Sequence, residues 1–304
     1  MAHLFGPVPS RRLGRSLGVD LIPPKTCSYD CIYCEVGPTT RQTCRRFPYQ
    51  IEAIIRELTD HLQEVTPEPD IITLAGSGEP TLNLGLGRII SAIKAMTKIP
   101  VAVLTNGSLL YLPEVRRDLA AADVVLPSLD AARAETYQAI NRPLPELTLD
   151  LLLAGLTALR REYRGRIWLE VMLLAGLNDT EAELEPLRRI LGELAPDKIQ
   201  LNTAVRPVVE ASARPLRRGE MEAVGAYLEG PVEVIASFNR EDVVGSPGSD
   251  EDFVEMLSRR PMTAADLAEA LGLPLVQVVA RLKRLQDSGR IIHDRYHDQV
   301  FYRH

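Results

Sequence analysis

Cysteine is scarce in this 304-residue chain, and all four copies fall between positions 27 and 44. So few and so clustered a set excludes a disulfide framework and reads as a metal or redox site. Long apolar runs are missing too. None reaches the roughly 18 residues of a membrane-spanning helix. Met1 to Ser10 has neither the apolar core nor the cleavage pattern of a signal peptide. A soluble, cytoplasmic protein with no membrane partner is therefore expected. Internal repeats and low-complexity tracts are lacking. The five histidines (His3, His61, His293, His297, His304) are scattered, so none is assigned a catalytic role. Aromatics amount to only 5%, within a composition 45% hydrophobic and 25% charged. That balance excludes disordered and collagen-like chains and allows one large domain, with or without a small one.

A strong charge of one sign is also absent. The net charge of -6 argues against a surface given over wholly to nucleic acid. The charge is uneven, however: +4 over residues 1–46, +2 over 255–304, and about -12 between them. A basic N-terminal face could hold an anionic partner. It could equally be a solvated face with a few ion pairs.

Short apolar runs edged by Gly, Pro, Asn or Asp predict strands at Leu17–Ile22, Ile71–Gly76, Val101–Asn106, Val124–Leu129, Ile167–Leu173, Lys198–Thr203 and Val232–Ser237. Such runs suit strands buried on both faces. Helical patterns alternate with them, from Tyr49–Val65 to Arg218–Leu228. Thr180 followed by Glu183 predicts a capping box. The alternation implies an α/β fold over residues 1–244. Its parallel strands form a partial or near-complete (β/α) barrel of six or seven units, with a site at the strands' C-terminal ends. Residues 245–252 have linker composition. Residues 253–304 predict two helices around Gly272-Leu273-Pro274 and then a hairpin, the order of a small winged helix-turn-helix. Arg281, Lys283 and Arg284 would lie on its recognition helix. Nucleic-acid contact and protein docking, or cover over the active site, are both open to it.

Cys27, Cys31 and Cys34 are spaced C-x3-C-x2-C, just past the first predicted strand. Three thiolates on one loop can hold three irons of a [4Fe–4S] cluster and leave the fourth iron to an exogenous molecule. Electron-transfer clusters commonly have four cysteines. With Cys44 the spacing C-x3-C-x2-C-x9-C could instead bind zinc or a fully ligated cluster. Otherwise Cys44 is a bystander thiol.

The three-cysteine motif, with Tyr33 before its last cysteine, resembles the radical S-adenosylmethionine (SAM) superfamily. Further matches follow in order: Gly76-Ser77-Gly78-Glu79-Pro80, Thr105-Asn106-Gly107 and Ser128-Leu129-Asp130 at strand ends, Glu170 on the fifth strand with Ala175-Gly176-Leu177-Asn178 after it, and Leu201-Asn202-Thr203 at the end of the sixth. The resemblance covers roughly residues 5–240. It implies cluster ligation by Cys27, Cys31 and Cys34. It also implies SAM contacts among Tyr33, Gly76, Ser77, Gly78, Glu79, Asn106, Ser128, Asp130, Glu170, Asn178 and Leu201. The reaction implied is one-electron cleavage of SAM to methionine and a 5′-deoxyadenosyl radical, which takes hydrogen from a substrate. The electron would come from a donor such as flavodoxin or ferredoxin. Residue by residue, plainer roles stand beside these: a loop at Gly76–Pro80, caps or turns at Asn106, Ser128, Asp130 and Asn178, and an ion pair at Glu170. Arg11, Arg12, Arg15 and Arg206 could grip an anion or serve packing.

Phe5–Gly18, Ser128–Ala131 and Ile140–Pro143 look like the group related to the wyosine-base tRNA enzymes. Those enzymes carry a second cluster on additional cysteines, and Cys44 alone cannot build one. The substrate is therefore open, with an RNA base or nucleotide-like molecule favoured and a protein substrate as a variant. The reading from a different class is a DNA-binding redox regulator. Its iron–sulfur or zinc domain would sense, and its winged helix would bind.

Overall fold

The computed structural model describes residues 3–10, 12–64, 68–235, 249–296 and 299–304. The chain opens with an antiparallel hairpin, β1 (Leu4–Ser10) and β2 (Gly14–Val19). A minimal parallel ribbon follows, β3 (Thr26–Cys27) with β4 (Arg41–Gln42), and it encloses the cysteine motif. After α1 (Ile51–Glu64) come β5 (Ile71–Leu74), a 3-10 turn at Pro80–Leu82, α2 (Leu86–Met96), β6 (Val101–Thr105), α3 (Pro113–Leu119) and β7 (Val124–Pro127). Next are α4 (Ala134–Asn141), α5 (Leu149–Glu162), β8 (Arg166–Leu173), α6 (Glu181–Leu194), β9 (Lys198–Thr203), α7 (Arg218–Leu228) and β10 (Val232–Val234). The sheet runs β1-β2-β5-β6-β7-β8-β9-β10, and every pairing from β2 onward is parallel. β1 and β10 are its edges, so the seven parallel strands form an open, partial barrel.

Alternation along the strands sorts their side chains. Leu17, Leu74, Val103, Leu169 and Leu201 face outward and meet Ile54, Ile90, Leu156 and Leu187 of the helical layer, all buried. Each such side chain contributes roughly 1.5–3 kcal/mol. Leu13, Ile71, Ala102, Val124 and Leu126 form a separate cluster on the other face, with Leu104 and Trp168 against it. They plug the barrel floor and leave the strands' C-terminal ends open for a site.

Beyond the barrel lie α8 (Asp250–Arg259), β11 (Met262–Thr263), α9 (Ala264–Leu271), α10 (Leu275–Asp287), β12 (Ile292–Tyr296) and β13 (Gln299–Arg303). The strands pair in the order β11-β13-β12. Phe253, Leu267, Val278, Leu282 and Leu285 make a core of their own that also takes in Val8 of β1. Arg259 of α8 pairs with Asp20, donates to the Leu4 carbonyl at 3.2 Å, and lies 4.5 Å above the Phe5 ring. The C-terminal unit thus sits on the N-terminal hairpin. Among the described residues no helix is long and apolar enough to cross a membrane.

Two local expectations change, and one strand is new. Thr180 is the N-cap of α6, but its side chain makes no capping bond. The Glu183 carboxylate is buried against α4 instead, accepting from Ala132 N at 3.1 Å and from the Thr136 hydroxyl. Of the expected linker, residues 245–248 lie outside the described residues, as do the end of the Val232–Ser237 strand, Arg11 and His297. The rest is helical: Ser249 and Asp252 cap α8 reciprocally. Strand β1 was not legible as a strand, because its two prolines suit only an edge, and the ladder is irregular between Phe5 and Val8, around Pro7.

Candidate active site

The turn out of β2 carries the three thiols across the strand ends. The loop is held from below. Ser28 Oγ meets Ser108 Oγ at 2.7 Å, and the Tyr29 and Tyr137 hydroxyls meet at 2.6 Å in the core. Asp30 N and Ile32 N donate to the Asn141 and Ile140 carbonyls at 3.1 and 3.0 Å, which ties the loop to the end of α4. Two side-chain amides aim at sulfur: Asn106 Nδ2 lies 3.4 Å from Cys27 Sγ, and Asn141 Nδ2 lies 3.6 Å from Cys31 Sγ. Burial pushes the Cys27 thiol up to about 12, with the Glu79 carboxylate adding to it. Burial raises Cys31 and Cys34 as well, and Cys27 and Cys34 both push Cys31 further. The thiols therefore feel one another. Among the described residues, no His, Cys, Asp or Glu trio is drawn tightly enough to hold a single metal ion. Cys44 stands apart and donates to Glu146 Oε1 at 3.2 Å.

The segment after β5 is clamped onto the chain that enters this loop. Gly76 has φ 138°, and a Cβ there would lie 1.8 Å from Asp20 Oδ1. Ser77 N donates to that same oxygen at 2.6 Å, and the Ser77 carbonyl accepts from Lys25 N at 2.6 Å. A Cβ on Gly78 would come within 2.3 Å of the Thr26 carbonyl, which accepts from Glu79 N at 3.1 Å. Only glycine lets the two backbones approach this closely.

Glu79 ties three segments together. Its Oε1 accepts from Thr81 N at 3.0 Å and from the Thr81 and Thr105 hydroxyls at 2.6 Å; its Oε2 accepts from Asn106 N at 2.8 Å. Asp130, past β7, is a second hub. It accepts from the Tyr33 hydroxyl, from Asn141 Nδ2 at 2.7 Å and from Met172 N at 2.9 Å. Asn178 donates to the Asp130 and Met172 carbonyls at 2.7 Å each and accepts from Leu174 N at 2.7 Å. Its amide is thus committed to backbone. Ser128, just past β7, bridges to Glu170 in the middle of β8. The Glu170 carboxylate pairs with Arg12 at 2.6 Å and accepts from Asn202 Nδ2 at 2.9 Å. Leu201 turns the other way, buried in the core among the helices. Tyr33, Gly76–Glu79, Asn106, Ser128, Asp130 and Glu170 are therefore gathered at the strand ends, while the Leu201 side chain is not. Arg206 is buried against Glu35 at 3.1 Å. Asp20 and Asn141 are hubs that the sequence reading passed over. Asn141 had a signal, since it lies within Ile140–Pro143.

Burial lifts the Asp130 carboxyl to about 6, against the hydrogen bonds of Tyr33 and Asn141 that pull it down. A carboxyl raised in the fold still holds a proton that the unfolded chain has released. Its contribution to stability therefore falls as pH climbs from the ordinary carboxyl range through 6. Urea unfolding of wild type against Asp130→Asn across that window should show an excess slope of up to about 1.4 kcal/mol per pH unit. Parallel slopes would mean that Asp130 titrates normally.

The family model described as the radical SAM superfamily matches residues 21–185. The chain belongs to that superfamily. Its members use a [4Fe–4S] cluster and SAM. A UPF0026 protein of Methanocaldococcus jannaschii is 33% identical over 99% of this chain and 96% of its own length. GTPase Obg of Brachyspira hyodysenteriae is 40% identical over 95% of this chain, which spans only 43% of that protein. Two solved structures share the fold. A radical SAM methyltransferase from Sphaerobacter thermophilus has 19% identity and a TM-score of 0.57, covering 72% of this chain and 65% of that one. TYW1 with a lysine–pyruvate adduct bound has 18% identity and a TM-score of 0.52, covering 70% and 72%. The donor set fits the superfamily's cluster. It offers three soft thiols on one loop, two amide donors aimed at sulfur, and a glycine segment that brings backbone close beside them.

Proposed function

We propose that the protein is a radical SAM enzyme with the cluster on Cys27, Cys31 and Cys34. The observation that carries this is the three-thiol loop lying over the barrel's strand ends against the Gly76–Glu79 segment. When bound, the cluster and SAM supply one-electron cleavage to methionine and a 5′-deoxyadenosyl radical, the hard chemistry that a cofactor carries. The chain supplies the rest. Asn106 and Asn141 stabilise charge on sulfur, and the Ser77–Gly78 backbone offers a close seat for the SAM amino group. Ser128 and the Glu170 carboxylate, held by Arg12 and Asn202, suit hydroxyl groups. Tyr33 and Asp130 line the same rim. Glu79, Asn178 and Leu201 act from behind as positioning residues. A flavodoxin or ferredoxin is the expected electron donor, in the cytoplasm. The substrate is an RNA base or a nucleotide-like molecule.

Residues 253–304 fit a winged-helix-like unit. Its α10 turns Leu275, Val276 and Val279 to solvent, 52%, 75% and 46% exposed, and Arg281 is held at 3.2 Å by Asp250. An apolar face suits docking to protein better than a phosphate backbone does. That weakens the DNA-binding regulator as the alternative.

The test is anaerobic reconstitution with iron and sulfide, then reduction and EPR with and without SAM, with 5′-deoxyadenosine assayed in the same samples. A cluster signal that shifts on adding SAM, together with deoxyadenosine formation, is expected. Zinc in place of iron, or a cluster indifferent to SAM, would overturn the reading.

A further inference from the structure

A cavity of about 230 Å3 opens inside the barrel mouth, bounded by the hairpin, the cysteine loop and the C-terminal unit. Four arginines from separate segments line it: Arg12 of the hairpin turn, Arg206 beyond β9, and Arg259 and Arg260 at the end of α8. Among the described residues, Glu35 is the one carboxylate on the wall. Ion pairs hold three of these guanidiniums in place: Arg12 on Glu170, Arg206 on Glu35, and Arg259 on both Asp20 and Glu255. Such pairing balances much of the positive charge but fixes the planar forks, each of which carries five N–H donors. Guanidinium forks match carboxylate and phosphate oxygens. Phe5, Leu104 and Met256 supply apolar surface beside them, and low local polarity strengthens any charge-assisted contact.

The cavity also touches both halves of the candidate cofactor site. Glu35 and Val36 directly follow Cys34, and Gly76 opens the glycine segment. Of the candidate SAM contacts, Gly76 alone is on the wall. The space is therefore beside the cofactor site rather than within it. At about 230 Å3 it is smaller than the roughly 300–1,000 Å3 typical of drug-sized ligands. It takes a small molecule, or the charged end of a larger one.

We propose that this cavity is the substrate subsite and takes an oxyanion group, carboxylate or phosphate, with the C-terminal unit supplying Arg259 and Arg260 to its wall. The proposal rests on the radical SAM reading for the reaction, but its binding test does not. The C-terminal unit then completes the substrate site, in place of reaching for a nucleic-acid duplex.

Calorimetric titration of the full chain with inorganic phosphate and, separately, with succinate tests it, before and after cluster reconstitution. The two probes distinguish a phosphate-bearing from a carboxylate-bearing substrate. At least one should bind in the millimolar range or tighter. Arg260→Gln should weaken it about tenfold. Ser10→Asp, which adds a negative charge to the same wall at a half-buried position, should weaken it as much, while Ser10→Asn should not. SAM affinity should be unchanged in all three variants. Overturning results are no binding of either probe, binding indifferent to both charge changes, or competition between the probe and SAM. The last would give the cavity to the SAM carboxylate. A protein that binds the anion yet never cleaves SAM would break the reaction reading and leave the anion site standing.

Discussion

Glu79→Ala is expected to lower the unfolding free energy by about 3–5 kcal/mol, among the largest single-residue effects in the chain. The side chain is fully buried, and its two oxygens take four hydrogen bonds. Truncation leaves two backbone N–H groups and two hydroxyls to find new partners, and a cavity beside them. The hydroxyls can turn, but the N–H groups of Thr81 and Asn106 are fixed by the backbone. Desolvation of orphaned donors costs roughly 1–3 kcal/mol each, and the cavity adds to it. The effect should also reach the cysteine loop, since Asn106 holds Cys27 Sγ and Ser28 Oγ through its amide. Glu79→Gln keeps the volume and one acceptor oxygen, so it should cost less than half as much. Urea unfolding of both variants at neutral pH is the measurement. An alanine variant within about 1 kcal/mol of wild type would remove Glu79 from its place as a hub.

The barrel was legible because parallel strands buried on both faces are written as short apolar runs, and those runs fall on β5 to β9 within a few residues. The hub roles were not. Glu79 was read through its neighbours Gly76–Gly78, as part of a loop that offers its backbone. Its carboxylate partners Thr105 and Asn106 come a whole βαβ unit later, where no local spacing could announce them. Asp20 falls inside the predicted strand Leu17–Ile22 and carries no motif, yet it joins Ser77 to Arg259, which lies 239 positions away. Glu183 shows the converse. Thr180 and Glu183 have capping-box spacing, but tertiary demand from the start of α4 claimed the carboxylate. For Glu170 the sequence left two roles open, and the Arg12 pair at 2.6 Å fills one of them while leaving the carboxylate at the strand ends. What the sequence conveyed was therefore periodicity and motif order. What it withheld was long-range pairing between charged and polar side chains.

Cys27→Ala, Cys31→Ala and Cys34→Ala should each strip iron from the reconstituted protein and cut SAM cleavage about a hundredfold or more, while Cys44→Ala should retain both. A cluster with three protein thiolates has no spare ligand, so losing one leaves two irons open and the cluster labile. Cys44 is placed otherwise. Its thiol stands apart from the other three and is committed to Glu146 Oε1 at 3.2 Å. Iron and sulfide content per chain, read beside the EPR signal, separates loss of the cluster from loss of folding once far-UV circular dichroism shows each variant folded. The informative variant is Cys44→Ala. If it too loses iron, four cysteines close the cluster, no iron is left open for the SAM amino and carboxylate groups, and the chemistry proposed here has no place to start. If it keeps iron and still supports SAM cleavage, the open coordination position follows from the count of thiolates alone.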